Sequence, residues 1–77
     1  MFSYNICNKA DSEIFSKQCA ALEKHIPNLQ KNDLLLDVDG SQTQRYTLDD
    51  KGISVHNSKY IGAVYIDSDV DLENFFK

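Results

Sequence analysis

Residues 34–66 constrain this chain more than any other stretch. They read LLLDVDGSQTQRYTLDDKGISVHNSKYIGAVYI, four short segments rich in apolar, β-branched and aromatic residues, each parted from the next by Asp, Asn, Gly or Ser. Period-two alternation bounded by turn residues predicts strands, and connections this short allow only antiparallel neighbours. Residues 34–39 place Leu34, Leu36 and Val38 inward with Leu35, Asp37 and Asp39 outward, and Asp39-Gly40 then turns the chain as a hairpin. Residues 42–48 set Tyr46 and Leu48 on one face and Thr43, Arg45 and Thr47 on the other. Asp49-Asp50-Lys51-Gly52 is the next turn, with Gly52 suited to a positive φ, and Ile53 and Val55 point inward on the return. Asn57-Ser58-Lys59 turns again, and residues 60–66 form the last strand, in which Gly62 marks a bulge or a close approach by the helix.

The flanks supply what a one-sided sheet needs. Residues 2–7, FSYNIC, alternate Phe2, Tyr4 and Ile6 against Ser3, Asn5 and Cys7, a short strand with its aromatic side toward the core. Residues 10–26 predict a helix: Phe15, Cys19, Leu22 and Ile26 recur at helical spacing, while Lys17, Glu23 and Lys24 fall on the other side. Asn8 or Asp11 caps its start, and Pro27 ends it by pushing the residue before it out of the α region. Residues 28–33 read as a polar connection, and the tail SDVDLENFFK as a short helix started by Ser68 or Asp69, folding Leu72, Phe75 and Phe76 back onto the sheet. The expected architecture is a single α+β domain, a two-layer sandwich of order β-α-β-β-β-β, with a four-stranded antiparallel meander, one long amphipathic helix on one face and a C-terminal helical turn. The first strand fits an edge or a place beside the last strand. A chain of 77 residues buries only about 60% of the surface its unfolded form exposes, so it has one modest core and no room for an elaborate cofactor cleft.

Charge narrows the function classes. Residues 1–31 carry Lys9, Lys17, Lys24 and Lys31 against Asp11, Glu13 and Glu23, a balance of +1, whereas residues 32–77 carry nine acids against Arg45, Lys51, Lys59 and Lys77, a balance of −5. An acidic half repels phosphate backbones and attracts basic surfaces, which disfavours nucleic acid and allows a basic protein partner. Cys7 and Cys19 have neither a CxxC spacing nor a nearby His pattern, so they are read as reduced, largely buried thiols with no metal or cofactor. No apolar run is long enough to span a membrane and no leader-like pattern is read, so the expected location is the cytoplasm.

LLLDVDGS resembles the first motif of the haloacid dehalogenase-like phosphatases, a hydrophobic strand followed by Asp-x-Asp-Gly. The resemblance spans about eight residues and implies Asp37 as nucleophile, Asp39 as general acid/base and Mg²⁺ completing the site, with Asp67 and Asp71 echoing a later metal motif. That family needs a parallel Rossmann-like sheet, and here the motif runs into strand-like QTQRYTL, so Asp39-Gly40 is better read as a hairpin turn. A calcium loop fails as well, since Gly40 stands fourth from Asp37 and position twelve is Leu48.

The remaining candidates are surface features. DSDVDLE sets Asp67, Asp69, Asp71 and Glu73 at alternate positions, which reads either as caps of a helix start or, with Asp49 and Asp50, as an acidic patch for a cationic partner. Tyr65 lies opposite Val64 and Ile66, so with Ile61, Ala63 and Leu35 it defines a second sheet face, which is either suited to partner binding or homo-oligomer contacts or covered by the terminal helix with Phe75 and Phe76. His25 and His56 have no Ser, Cys or carboxylate at an evident catalytic spacing. The expectation is a non-enzymatic binding protein, most concretely a bacterial immunity or inhibitor protein that neutralises a basic toxin or nuclease. Its contact residues would be Asp67, Asp69, Asp71, Glu73, Tyr65, Asp49 and Asp50.

Overall fold

Strand β1 (Phe2–Cys7), helix α1 (Ser12–His25) and strands β2 (Gln30–Leu36), β3 (Gln42–Leu48), β4 (Lys51–Ser58) and β5 (Ala63–Ser68) follow one another in the computed structural model, which describes residues 2–73. The helix packs on one face of a five-stranded sheet of order β1-β5-β4-β3-β2, antiparallel in every pairing. The meander and the α+β class are as expected. β1 takes both of the places left open for it: it lies beside the last strand, and it is an edge.

α1 forms where its spacing predicts. Asp11 is the N-cap, its Oδ1 accepting from Glu13 N (2.9 Å) and Ile14 N (3.2 Å), and Pro27 follows the C-cap Ile26. Asp11 N also donates to Oδ1 of buried Asn57 (3.0 Å), which ties the start of the helix to β4. Phe15, Cys19, Leu22 and Ile26 project onto Tyr46 and Leu48 of β3, Ile53 and Val55 of β4, and Val64 and Ile66 of β5, with Leu72 closing one end of the core. Gln44 lies among these apolar residues because its Nε2 donates to the carbonyl of Asn32 (2.7 Å). Cys7 and Cys19 are both free thiols, Cys19 buried and Cys7 partly so.

Both edge strands depart from expectation. β2 begins at Gln30, inside the stretch read as a connection, and ends at Leu36 rather than Asp39. Leu34, Leu35 and Leu36 are 47%, 48% and 69% exposed, so Leu34 and Leu36 face the helix side without being buried. One helix is about 10–12 Å wide, and α1 lies chiefly over β4, too far from the edge to cover β2. In β1 a bulge between Asn5 and Cys7 breaks the alternation. Tyr4 and Cys7 therefore reach the core, whereas Phe2 and Ile6 remain exposed.

The turns also differ from prediction. Asp49 (φ 49°) and Asp50 (φ 67°) alone connect β3 to β4, as a two-residue hairpin with both residues left-handed, and Gly52 is part of β4. Residues 59–62, rather than 57–59, connect β4 to β5; Gly62 (φ 75°) sits in that loop with open space around it, so it is neither a bulge nor a helix contact. The β2–β3 hairpin closes through Asp37 N to Ser41 O (2.9 Å) and Gly40 N to Asp37 O (3.0 Å), with Gly40 at φ 88°. β5 runs to Ser68, whose Oγ accepts from Val70 N (2.9 Å), so neither Ser68 nor Asp69 starts a helix; Asp71 Oδ1 accepts from Glu73 N instead (3.0 Å). Phe75 and Phe76 lie outside the described residues.

Candidate functional site on the sheet face away from the helix

The face of the sheet turned away from α1, which no other element among the described residues covers, carries its side chains in rungs. One rung crosses all five strands as Leu35, Thr43, His56, Tyr65 and Asn5, and the next aligns Arg45, Ser54, Asp67 and Ser3. Directly opposed residues on a sheet face lie about 4.5–5.5 Å apart at Cβ and diagonal ones within reach of long side chains, so these rungs form one connected cluster. The His56 and Tyr65 rings stack with centroids 4.7 Å apart and planes 19° apart. Thr43 Oγ1 lies 3.1 Å from His56 Nδ1, and His56 Nε2 lies 3.5 Å from Asp67 Oδ2.

Burial pushes the His56 imidazole below its ordinary pKa, and the Asp67 carboxylate pulls it back in part. A neutral ring fits both neighbours: Nε2–H points at Asp67 and the Nδ1 lone pair accepts the Thr43 hydroxyl proton. The Tyr65 phenol is pushed up, by burial first and by Asp67 second.

Beside His56 the face dips into an open cavity of about 430 Å³, lined by Asp37, Asp39, Thr43, His56, Tyr60 and Tyr65 among others. Tyr60 stands almost fully exposed in the β4–β5 loop. Each hairpin carboxylate spends one oxygen on its own backbone, Asp37 Oδ1 on Val38 N (2.8 Å) and Asp39 Oδ1 on Ser41 N (2.8 Å). Those Ser41 contacts, with Lys59 nearby, hold the Asp39 carboxyl below its ordinary range. Asp37 and Asp39 thus belong to a hairpin turn of an antiparallel sheet, without the parallel sheet that the phosphatase motif requires.

The acids read as one patch do not share one. Asp67 lies on the uncovered face beside His56. Asp69 is drawn to the start of β4, with its N donating to Gly52 O (2.9 Å) and its Oδ2 accepting from Gly52 N (3.4 Å). Asp71 turns to the helix side, where Tyr4 Oη donates to its Oδ1 (3.1 Å) and accepts from Leu72 N (2.9 Å). Glu73 follows Asp71 at the last described position. Asp49 and Asp50 are exposed at the β3–β4 turn, the end of the sheet where Asp69 also sits. Tyr65 is on the uncovered face, as its alternation with Val64 and Ile66 implies.

Sequence reading passed over the Thr43–His56–Asp67 cluster. A two-residue turn at Asp49-Asp50 would have fixed Thr43 opposite His56, and reading four turn residues there lost that register. Among the described residues no group of three or more His, Cys, Asp and Glu side chains is placed to hold a metal ion, and no helix is long and apolar enough to cross a membrane. Searches against protein-family models, curated proteins and solved structures find no match for this chain.

Proposed function

We propose that this chain is a non-enzymatic binding protein that receives a basic protein partner on the uncovered face of its sheet. The most concrete form is a bacterial immunity or inhibitor protein that neutralises a basic toxin or nuclease in the cytoplasm. The observation that carries the reading is the placing of carboxylates near two tyrosines: Asp37 and Asp39 line one cavity with exposed Tyr60, Asp67 lies beside half-buried Tyr65, and Asp49, Asp50 and Asp69 stand at the other end of the sheet. Tyrosine anchors with carboxylates close by suit a partner that presents Lys or Arg, which a ring face and a carboxylate can hold together. The 430 Å³ cavity has room for one such side chain. Thr43 sits in mid-strand on β3, between β2 and β4. Its neighbouring N–H groups belong to the ladders and are not free to stabilise a developing oxyanion, which favours binding over catalysis.

The test is affinity capture from the native cell, then titration of the purified partner at several salt concentrations. A basic partner is expected, bound more weakly as salt rises. Asp37→Asn, Asp67→Asn and Tyr65→Ala should each weaken it about tenfold, the middle of the range for a desolvated anchor or charge pair. Amide variants at Asp37, Asp39, Asp67 and Asp69 that leave both affinity and salt dependence unchanged would overturn the reading.

A further inference from the structure

We propose that β2 is the seam of a homodimer, in which two copies join their β2 strands antiparallel across a two-fold axis passing between the two Leu35 residues. This goes beyond the partner reading and uses the β2 edge, which adjoins the partner face at Leu35 and Asp37. β2 pairs with β3 on one side and forms an edge of the sheet on the other. Natural edges are usually blunted, because unpaired N–H and C=O groups template further strands. Here the blunting stops short. A bulge between Lys31 and Leu34 disrupts the first half of β2, and the second half, Leu34-Leu35-Leu36, runs in regular register with Gln44, Thr43 and Gln42.

The hydrogen bonds fix which groups are free. In a strand the backbone N–H and C=O of successive residues point to alternate sides. Asp37 N donates inward to Ser41 O, so Leu35 also points at β3, and the N–H and C=O groups of Leu34 and Leu36 point away from the sheet. A two-fold axis perpendicular to the sheet keeps each face on its own side, so a self-pairing must oppose residues of the same face. With the axis at Leu35, Leu34 exchanges both bonds with Leu36 of the second copy and Leu36 exchanges both with Leu34. Every free group of the regular segment is then paired. Shifting the axis to Leu34 opposes Leu36 to Asn32 in the bulge, and shifting it to Asp33 sets like charges against each other.

The side chains favour a second copy over an unrelated strand. In this register leucine meets leucine at all three positions: Leu34 against Leu36 on the helix side, and Leu35 against itself on the other. The open groove of about 360 Å³ between α1 and β2, walled by Phe15, Cys19, Ala20 and Leu34, gains Leu36 of the second copy along its rim. Charge agrees. β2 carries only Lys31 and Asp33, so it is neutral in a chain of net charge −4, and two acidic copies meet there with little local repulsion. The residual cost is Asp33 facing Asp37 of the second copy at both ends, so this association tightens as salt rises. The basic-partner complex responds to salt with the opposite sign.

Sedimentation equilibrium from micromolar to millimolar protein tests the seam, with circular dichroism confirming the fold of each variant. The wild type is expected to pass from monomer to dimer, more readily at high salt, and Leu35→Glu to stay monomeric. Leu35→Cys should cross-link on mild oxidation, since Cβ atoms of an opposed pair lie about 4.5–5.5 Å apart. Ser3→Cys on the other edge should cross-link no faster than the wild type with its two native thiols. A wild type that stays monomeric at millimolar concentration overturns the proposal. So does a dimer that survives Leu35→Glu, or one that Ser3→Cys cross-links faster than Leu35→Cys. Each of these results leaves the basic-partner reading standing.

Discussion

Tyr46 on β3 donates its phenolic hydrogen to Glu23 of α1, Oη to Oε2 2.8 Å, across the interface between helix and sheet. The ring is buried, whereas Glu23 reaches partly into water and stands 3.6 Å from Lys31 Nζ. Burial first, and the Glu23 contact second, push the phenol far above its ordinary pKa, so Tyr46 stays protonated and remains a donor throughout the stable range. The two ends of this bond should not be equivalent. Tyr46→Phe leaves Glu23 with water and Lys31 and should cost about 0.5–1.5 kcal/mol, whereas Glu23→Ala leaves a buried hydroxyl with only the weak thiol of Cys19 and should cost about 1–3 kcal/mol. Urea denaturation of both variants checks the order.

The helix start supplies a second prediction. Asp11 satisfies two backbone N–H groups of the first turn, and its own N–H is held by Asn57. Asp11→Ala should cost about 1 kcal/mol and Asp11→Asn only a few tenths. The Asn57 contact uses the backbone, so it survives both changes. Stability should therefore follow cap chemistry, and the helical circular dichroism signal at low denaturant should not change.

What could be read ahead of the structure depended on burial. α1 was legible because three signals coincide: Phe15, Cys19, Leu22 and Ile26 at helical spacing, an acidic cap at Asp11, and Pro27. β3 was legible because a strand at the middle of a one-sided sheet must alternate. β2 was not. Gln30 to Asp33 carry no apolar pattern, since an edge strand outside the cover of the helix has no buried face to enforce one. The same reasoning sorts the site. Tyr65 and Asp67 could be assigned to the uncovered face from their alternation with Val64 and Ile66. The directions of Asp69 and Asp71 could not, because the chain leaves the sheet at Ser68 and periodicity ends there.

The exposure of β2 has a measurable consequence for stability. Leu22 and Leu36 would both pass as core leucines in the sequence, yet one is buried against the sheet and the other lies on the open edge. Leu22→Ala should cost about 2–5 kcal/mol, enough to unfold most of a domain whose single small core supplies about 3–5 kcal/mol. Leu36→Ala should change stability by less than about 0.5 kcal/mol in dilute solution. Denaturation midpoints of the two variants give the comparison, and equal losses would contradict the placement of β2 outside the cover of α1.

His56 makes stability depend on pH in a direction its environment dictates. Burial lowers its folded pKa below the unfolded value of 6.5, and Asp67 offsets only part of that. Above 6.5 the ring is neutral in both states and its full contribution is present. As pH falls below 6.5 the unfolded chain takes up a proton that the folded chain refuses, so stability declines until the folded pKa is passed and then levels off. His56→Gln should remove this dependence and flatten urea midpoints measured between pH 7.5 and pH 5 relative to wild type. Asp67→Asn should act the other way: without the carboxylate the folded pKa drops further and the acid loss widens. Proton NMR titration of the His56 ring gives the folded pKa directly, and a value above 6.5 in the wild type would show that the Asp67 contact outweighs burial.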